Sequence, residues 1–224
     1  MDSRIEFAEQ RIKEIEEKLK IKHEIEVTKE DEKILEKIPE KVLKAIKEKK
    51  MKAKPKYVPS DYYEKTLEKR SKILNAPSIN HLCKSIILEN IHYEKNLEEN
   101  NLLNQKKEDE LLNAKYFLVL VQYSKRLNFA KIANFFRSLL KDEKRKFEFK
   151  LAPENISFDL SGFEHNAITP IGMNVDLPII ISDSICALSP QFFWMGGGQV
   201  DLKLCCSTLE FMNIFHPLIA SITD

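Results

Sequence analysis

The sequence predicts an α+β (mixed α/β) domain with a mixed sheet and flanking helices, preceded by a helical N-terminal extension. Three observations carry this. Residues 1–52 contain no glycine and space their apolar residues at helical intervals. From about residue 75 the period changes, and short apolar or β-branched runs alternate with helical stretches. Strands and helices mixed in this order, with hairpin-like neighbours, form one core of α+β type.

In chain order, Ile5, Ala8, Ile12, Ile15 and Leu19 make a coiled-coil-like seam about two heptads long. The register is lost around Lys22–Val27. Thr28 with Asp31 reads as a helix N-cap followed by an acidic first turn. The next helical stretch places Leu35, Ile38, Val42 and Ile46 on one face, with Pro39 as a kink or restart. Pro55 to Pro59 reads as a linker, and Ser60 caps a helix to about Leu74 that turns Tyr63, Leu67 and Ile73 toward a core. Lys84–Ile91 and Lys115–Tyr123 are strands, the second apolar enough to be central. Between them, the polar stretch 94–113 is an exposed excursion. Asn128 caps a helix that faces Ile132, Phe135, Phe136 and Leu139 inward. Lys146–Leu151, Leu177–Ser182, Gln191–Met195 and Val200–Leu204 are further strands, and Pro153–Leu160 is a short helix. Ser207 with Glu210 is a capping box for a final helix.

Charge divides the chain more than its formal net of +1 suggests. Residues 1–60 hold 17 Lys/Arg against 14 Asp/Glu, residues 61–149 hold 17 against 13, and residues 150–224 hold 2 against 8. Such asymmetry can orient a polyanion. The densest cationic run is Lys41–Lys56, with Lys44, Lys47, Lys49, Lys50, Lys52 and Lys54 placed to meet an RNA backbone or simply to solvate a helix face. No apolar run is long enough to span a membrane and no signal-peptide core opens the chain, so a cytoplasmic protein without a membrane partner is expected. Cys83, Cys186, Cys205 and Cys206 form no metal-ligand spacing; they read as free thiols, with Cys205 and Cys206 on opposite faces of a strand. No metal and no cofactor is implied.

Several chemistries are excluded by pattern. Gly196–Gly198 is followed by no Gly-Lys-Ser/Thr and opens no helix, so phosphate-loop and dinucleotide readings fail. Three constellations remain. Lys84 opens a strand. The stretch from Gly162 to Gly172 is a shaped loop, where function concentrates. The glycines Gly196, Gly197 and Gly198 permit close backbone approach.

Taken in order, Cys83–Leu88, Tyr116–Val121 with the Asn128 helix, Thr169–Met173, Ile181–Asp183 and Gly196–Leu202 resemble the YbaK-type proteins and the editing domains associated with prolyl-tRNA synthetases. The resemblance covers roughly residues 75–215. It divides the chain into a helical, Lys-rich extension at 1–54, a linker and helix at 55–74, and a YbaK-like editing domain at 75–224 with a polar insertion near 94–113. It implies an aminoacyl-tRNA deacylase that hydrolyses the ester of mischarged tRNA, alanyl or cysteinyl esters of proline tRNA being the family's usual substrates. Lys84 would then be the catalytic lysine, stabilising the developing oxyanion or holding a phosphate. Asn166, Ala167, Ile168, Thr169, Pro170 and Gly172 would hold the aminoacyl group, with Asp183 beside them and Gly196–Gly198 as the opposite wall. His165 is placed to act as a general base.

Two departures matter. Asn166-Ala167 stands where many members have a Gly-Gly pair, so the methyl of Ala167 is expected to narrow the pocket. Some members also have a serine near Met195. A second function class stays open: a catalytically weak binding module that docks tRNA or an aminoacyl-tRNA synthetase through its N-terminal helices. Those helices could equally support self-association.

Overall fold

The first helix among the described residues begins as its sequence requires. Thr28 Oγ1 accepts from the Asp31 amide at 3.2 Å, and the Thr28 amide donates to Asp31 Oδ2 at 2.8 Å. This reciprocal box satisfies two orphan donors of α1 (Lys29–Leu35). Pro39, which has no amide hydrogen to lose, restarts the chain as α2 (Glu40–Glu48). Ile38, Val42 and Ile46 enter the main core, with Leu35 packed at its edge. In this computed structural model the described residues are 25–93, 114–140 and 146–224. The seam from Ile5 to Leu19 and the excursion at 94–113 lie outside them.

The stretch read as a linker is a strand. β1 (Lys54–Tyr57) pairs antiparallel with β7 (Leu202–Ser207), Pro55 opposite Leu204. Pro55 is tolerated because β1 is the outer member of a three-stranded sheet of order β1-β7-β6, where an edge strand need not donate on both sides. Lys54 and Lys56 alternate with buried Pro55, and edge lysines discourage pairing with another chain. The lysine tract is thus built into the domain, and α2 is part of its core. The helix expected from Ser60 is divided: Tyr62–Glu64 is a 3-10 turn, and α3 (Leu67–Ile73) starts afresh where Thr66 accepts from the Lys69 amide.

The second sheet has the order β4-β2-β3-β5-β8. β2 (Cys83–Asn90) and β3 (Tyr116–Gln122) pair antiparallel, β4 (Phe149–Leu151) joins the far end of β2, and β5 (Ile179–Ser182) runs parallel to β3. β8 (Leu218–Ala220), not foreseen from the sequence, runs parallel to β5. Phe117 to Val121 are all fully buried, as a strand covered on both faces must be. Helix α4 (Phe129–Leu140) covers one face with Ile132, Ala133 and Phe136. Its buried stripe is rotated from the expected one, so Leu139 is exposed. The other face meets α2, β7 and β6 (Phe192–Gly196). α5 (Glu154–Ser161), α6 (Asp183–Cys186) and α7 (Thr208–Phe215) complete the fold, the last capped by Ser207 as predicted. The four cysteines are free thiols; Cys205 and Cys206 face different core clusters.

One detail of topology positions the site. β2 has β3 along one edge throughout, but its other edge pairs with β4 only at Leu88–Asn90, and just before its start Leu82 bridges to Trp194 of β6. Between those points, Cys83 to Ile86 lie at a gap between the two sheets.

Candidate functional site

The loop after α5 borders this gap. Gly162 ends the helix in the left-handed region at φ +69°, and the Lys41 ammonium donates to the carbonyls of Ser161 at 3.0 Å and Gly162 at 2.7 Å. A cation there satisfies orphan carbonyls at the negative end of the helix. It also lies 3.7 Å from the Phe163 ring centre, and burial lowers its pKa. Lys41 therefore serves structure.

Glu164, His165 and Asn166 form the exposed tip. Asn166 has φ +66°, a conformation that glycine adopts freely and asparagine tolerates better than most residues. This accounts physically for asparagine where the resembled family often has glycine. The loop then turns inward, and Ala167, Thr169, Pro170 and Ile171 are buried. The methyl of Ala167 belongs to the core and does not line the cleft that the loop borders.

The glycine turn is not an opposite wall. The Gly198 amide donates to the Ala167 carbonyl at 3.0 Å, and a Cβ on Gly196 would stand 2.5 Å from the Ile168 carbonyl oxygen. Loop and turn form one continuous wall in direct contact. Gly172, at φ +75°, is closed off by the Lys41 carbonyl.

The cleft lies on the outer side of that wall. A cavity of about 530 Å³ is bounded by Ile86 and Ile87 of β2, Leu151 of β4 and the following Ala152, Phe158 of α5, and Phe163, His165 and Ile168 of the loop. Glu154 and Glu164 add carboxylates to a mainly apolar lining. The structure therefore brings His165 and Ile168 together with β2. Lys84 is not in the lining but precedes Ile86 by two residues on the same strand face, a step of roughly 7 Å. It is partly exposed, and its ammonium lies 5.7 Å from the Tyr123 ring centre.

Tyr123 belongs to a cluster that the sequence did not single out. Tyr62, Tyr63 and Tyr123 surround Arg70, whose guanidinium lies 5.5, 5.2 and 5.7 Å from their ring centres. Burial raises the pKa of all three phenols and keeps them neutral. The Tyr63 hydroxyl donates to the Asn166 carbonyl at 2.7 Å, and the buried Lys203 ammonium donates to that hydroxyl at 2.8 Å and to the Val200 carbonyl at 2.9 Å. Burial lowers the Lys203 pKa to about 8, despite the opposing field of Asp201. The available signal was a lysine inside the apolar run Leu202–Cys206.

Asp183 is separated from this cleft. It opens α6, where Oδ1 accepts from the Ser184 amide at 2.8 Å, and it borders a different cavity of about 610 Å³ with Asn80, His81 and Gln122. The six tract lysines also divide. Lys44 pairs with Glu48 at 3.8 Å, Lys49 lies 5.2 Å from the Phe215 ring centre, and Lys54 pairs with Asp31 at 3.6 Å. Lys47, Lys50 and Lys52 are exposed. Among the described residues, no three His, Cys, Asp or Glu side chains are grouped to hold a metal, and no helix is long and apolar enough to cross a membrane.

No family model matches the sequence, and no curated protein matches it. Solved structures do share the fold. One is described as a candidate trans-editing enzyme for prolyl-tRNA synthetase; it is 16% identical, with a TM-score of 0.58 over 82% of this chain and 95% of that one. Another, of a hypothetical protein, is 17% identical with a TM-score of 0.59 over 83% and 100%. A third comes from work on epitope backbone grafting onto scaffold proteins, at 15% identity and a TM-score of 0.58 over 82% and 95%. At these identities the likeness is one of fold, a mixed α+β architecture with two sheets.

Proposed function

We propose that this protein is a hydrolase that removes the amino acid from mischarged tRNA, with the ester held where Lys84 meets the cleft. The observation that supports this most is the cleft itself. It opens at the gap beside β2, in a fold shared with a candidate trans-editing enzyme, and both Lys84 and the 163–168 loop border that gap.

The chemistry asks little of the protein. Water adds to the ester carbonyl, the oxyanion collapses, and the amino acid leaves the terminal ribose hydroxyl. Positioning plus a cation near the developing charge is sufficient for so reactive a bond. Lys84 supplies that cation, and His165 at the rim is the group able to orient the water. The apolar walls from Ile86 to Phe163 suit an amino-acid side chain, while Glu154 and Glu164 suit an α-ammonium group. Lys47 and Lys50, exposed on and just after α2, then face the tRNA body.

A binding-module reading has one observation in its favour. The Ala167 carbonyl is already taken by Gly198, so the loop has one backbone acceptor fewer for a substrate. Purified protein incubated with tRNA charged with alanine, cysteine or serine separates the two readings. Release of at least one amino acid above the buffer rate is expected; binding without release would favour the module.

A further inference from the structure

We infer that Tyr63 is a positioning residue for the substrate loop and that Lys203 fixes the direction of its hydroxyl hydrogen. The inference rests on the functional reading above.

A phenol has one hydrogen to give and lone pairs to accept with. An ammonium has only donors. Because Lys203 occupies an acceptor site on Tyr63 at 2.8 Å, that contact cannot use the phenol's hydrogen, which goes to the Asn166 carbonyl at 2.7 Å, with the Tyr123 hydroxyl as a second polar neighbour. The chain Lys203 to Tyr63 to Asn166 therefore runs one way. It ends on an exposed residue in the left-handed region, whose carbonyl sets the plane of the peptide that carries the Ala167 amide. That amide donates to Glu164 at 3.0 Å, so this pair of bonds holds the tip that presents His165 to the cleft.

The source of Tyr63 is informative. It comes from the 3-10 turn after β1, before the region that resembles the editing family begins. A residue expected only to face a core, from the stretch after the expected linker, supplies part of the site. It does so at a cost, because Lys203 is only 5% exposed and its ammonium's hydrogen-bond partners are a phenol and a carbonyl. An ammonium buried against neutral partners destabilises a fold unless something else depends on it.

The test compares Tyr63→Phe and Lys203→Met with the wild type in the full chain. Tyr63→Phe is expected to speed hydrogen exchange at the Ala167 amide about tenfold while the Leu118–Leu120 amides are unchanged, and to lower kcat for the best mischarged tRNA about tenfold with KM little altered. Lys203→Met is expected to lower kcat in the same direction while its Tm at neutral pH matches or exceeds that of the wild type. A purely structural lysine would lose both. Unchanged exchange at Ala167 in Tyr63→Phe overturns the proposal, and so does faster exchange with an intact kcat. If the wild type releases no amino acid, the functional reading fails, and the exchange comparison alone then decides whether Tyr63 holds the loop.

Discussion

The two ends of β3 carry aromatic clusters built on opposite terms. At its start, Phe117 packs with Phe136, Phe147 and Phe149, with ring centres 5.0 to 6.2 Å apart and no charge among the four. Just past its other end, Tyr123 stands with Tyr62, Tyr63, Arg70, Lys84 and Lys203. Rings at the first end do what rings do best in a core, burying area and adding about 0.5–1.5 kcal/mol for each well-placed pair. Rings at the second end hold cations near a gap between sheets. The phenylalanine end is arranged for stability, and the tyrosine end gives some stability up.

The contrast predicts different consequences for similar truncations. Phe136→Ala removes a fully buried ring and should cost about 3–5 kcal/mol of unfolding free energy, read from a urea titration. The tyrosine cluster should keep its near-ultraviolet signal in that variant below the transition. Simultaneous loss would show that the two ends are not independent.

The pH dependence of Lys203 is a smaller effect with a definite sign. Its folded pKa is near 8, below the ordinary lysine value of about 10.4. Folding therefore releases a proton between those values, and stability rises with pH across that window. Below about pH 8 the penalty is fully present; above about 10.5 it is gone. Lys203→Met should be more stable than the wild type at pH 7, with the advantage shrinking toward pH 10.5. A constant difference across that range would contradict the assignment. The smallest effect is expected for Tyr123→Phe, which keeps the ring beside Lys84 and removes a hydroxyl that neighbours Tyr63 while leaving the Tyr63 bond to Asn166 in place; kcat within about threefold of the wild type would assign the Lys84 contact to the ring.

Legibility in the sequence followed the same division. Caps, the central strand and the α+β class were readable because they rest on local chemistry: Thr28 with Asp31, Ser207 with Glu210, and the unbroken apolar run at Phe117–Val121. β1 was misread because Pro55 and Pro59 signal a linker locally, while its pairing with β7 joins residues about 150 positions apart, beyond any local pattern. Of the site residues expected, His165 and Ile168 line the cleft, and Lys84 stands beside it on the same strand as Ile86. Asp183 borders a different cavity from His165, which order along the chain could not show because it gives no direction in space. Tyr63 was visible only as a core residue, since its use depends on Asn166 and Lys203, far away in sequence.

The central claim is that Lys84 serves ester hydrolysis, and its most direct measurement is the rate at which wild type and Lys84→Ala release the amino acid from the same mischarged tRNA. Both proteins should melt alike, because the lysine is partly exposed and its ammonium lies 5.7 Å from the Tyr123 ring centre. The wild type should be faster by on the order of a hundredfold, the usual cost of losing one charge-stabilising donor. Equal rates in two equally folded proteins would remove Lys84 from the mechanism.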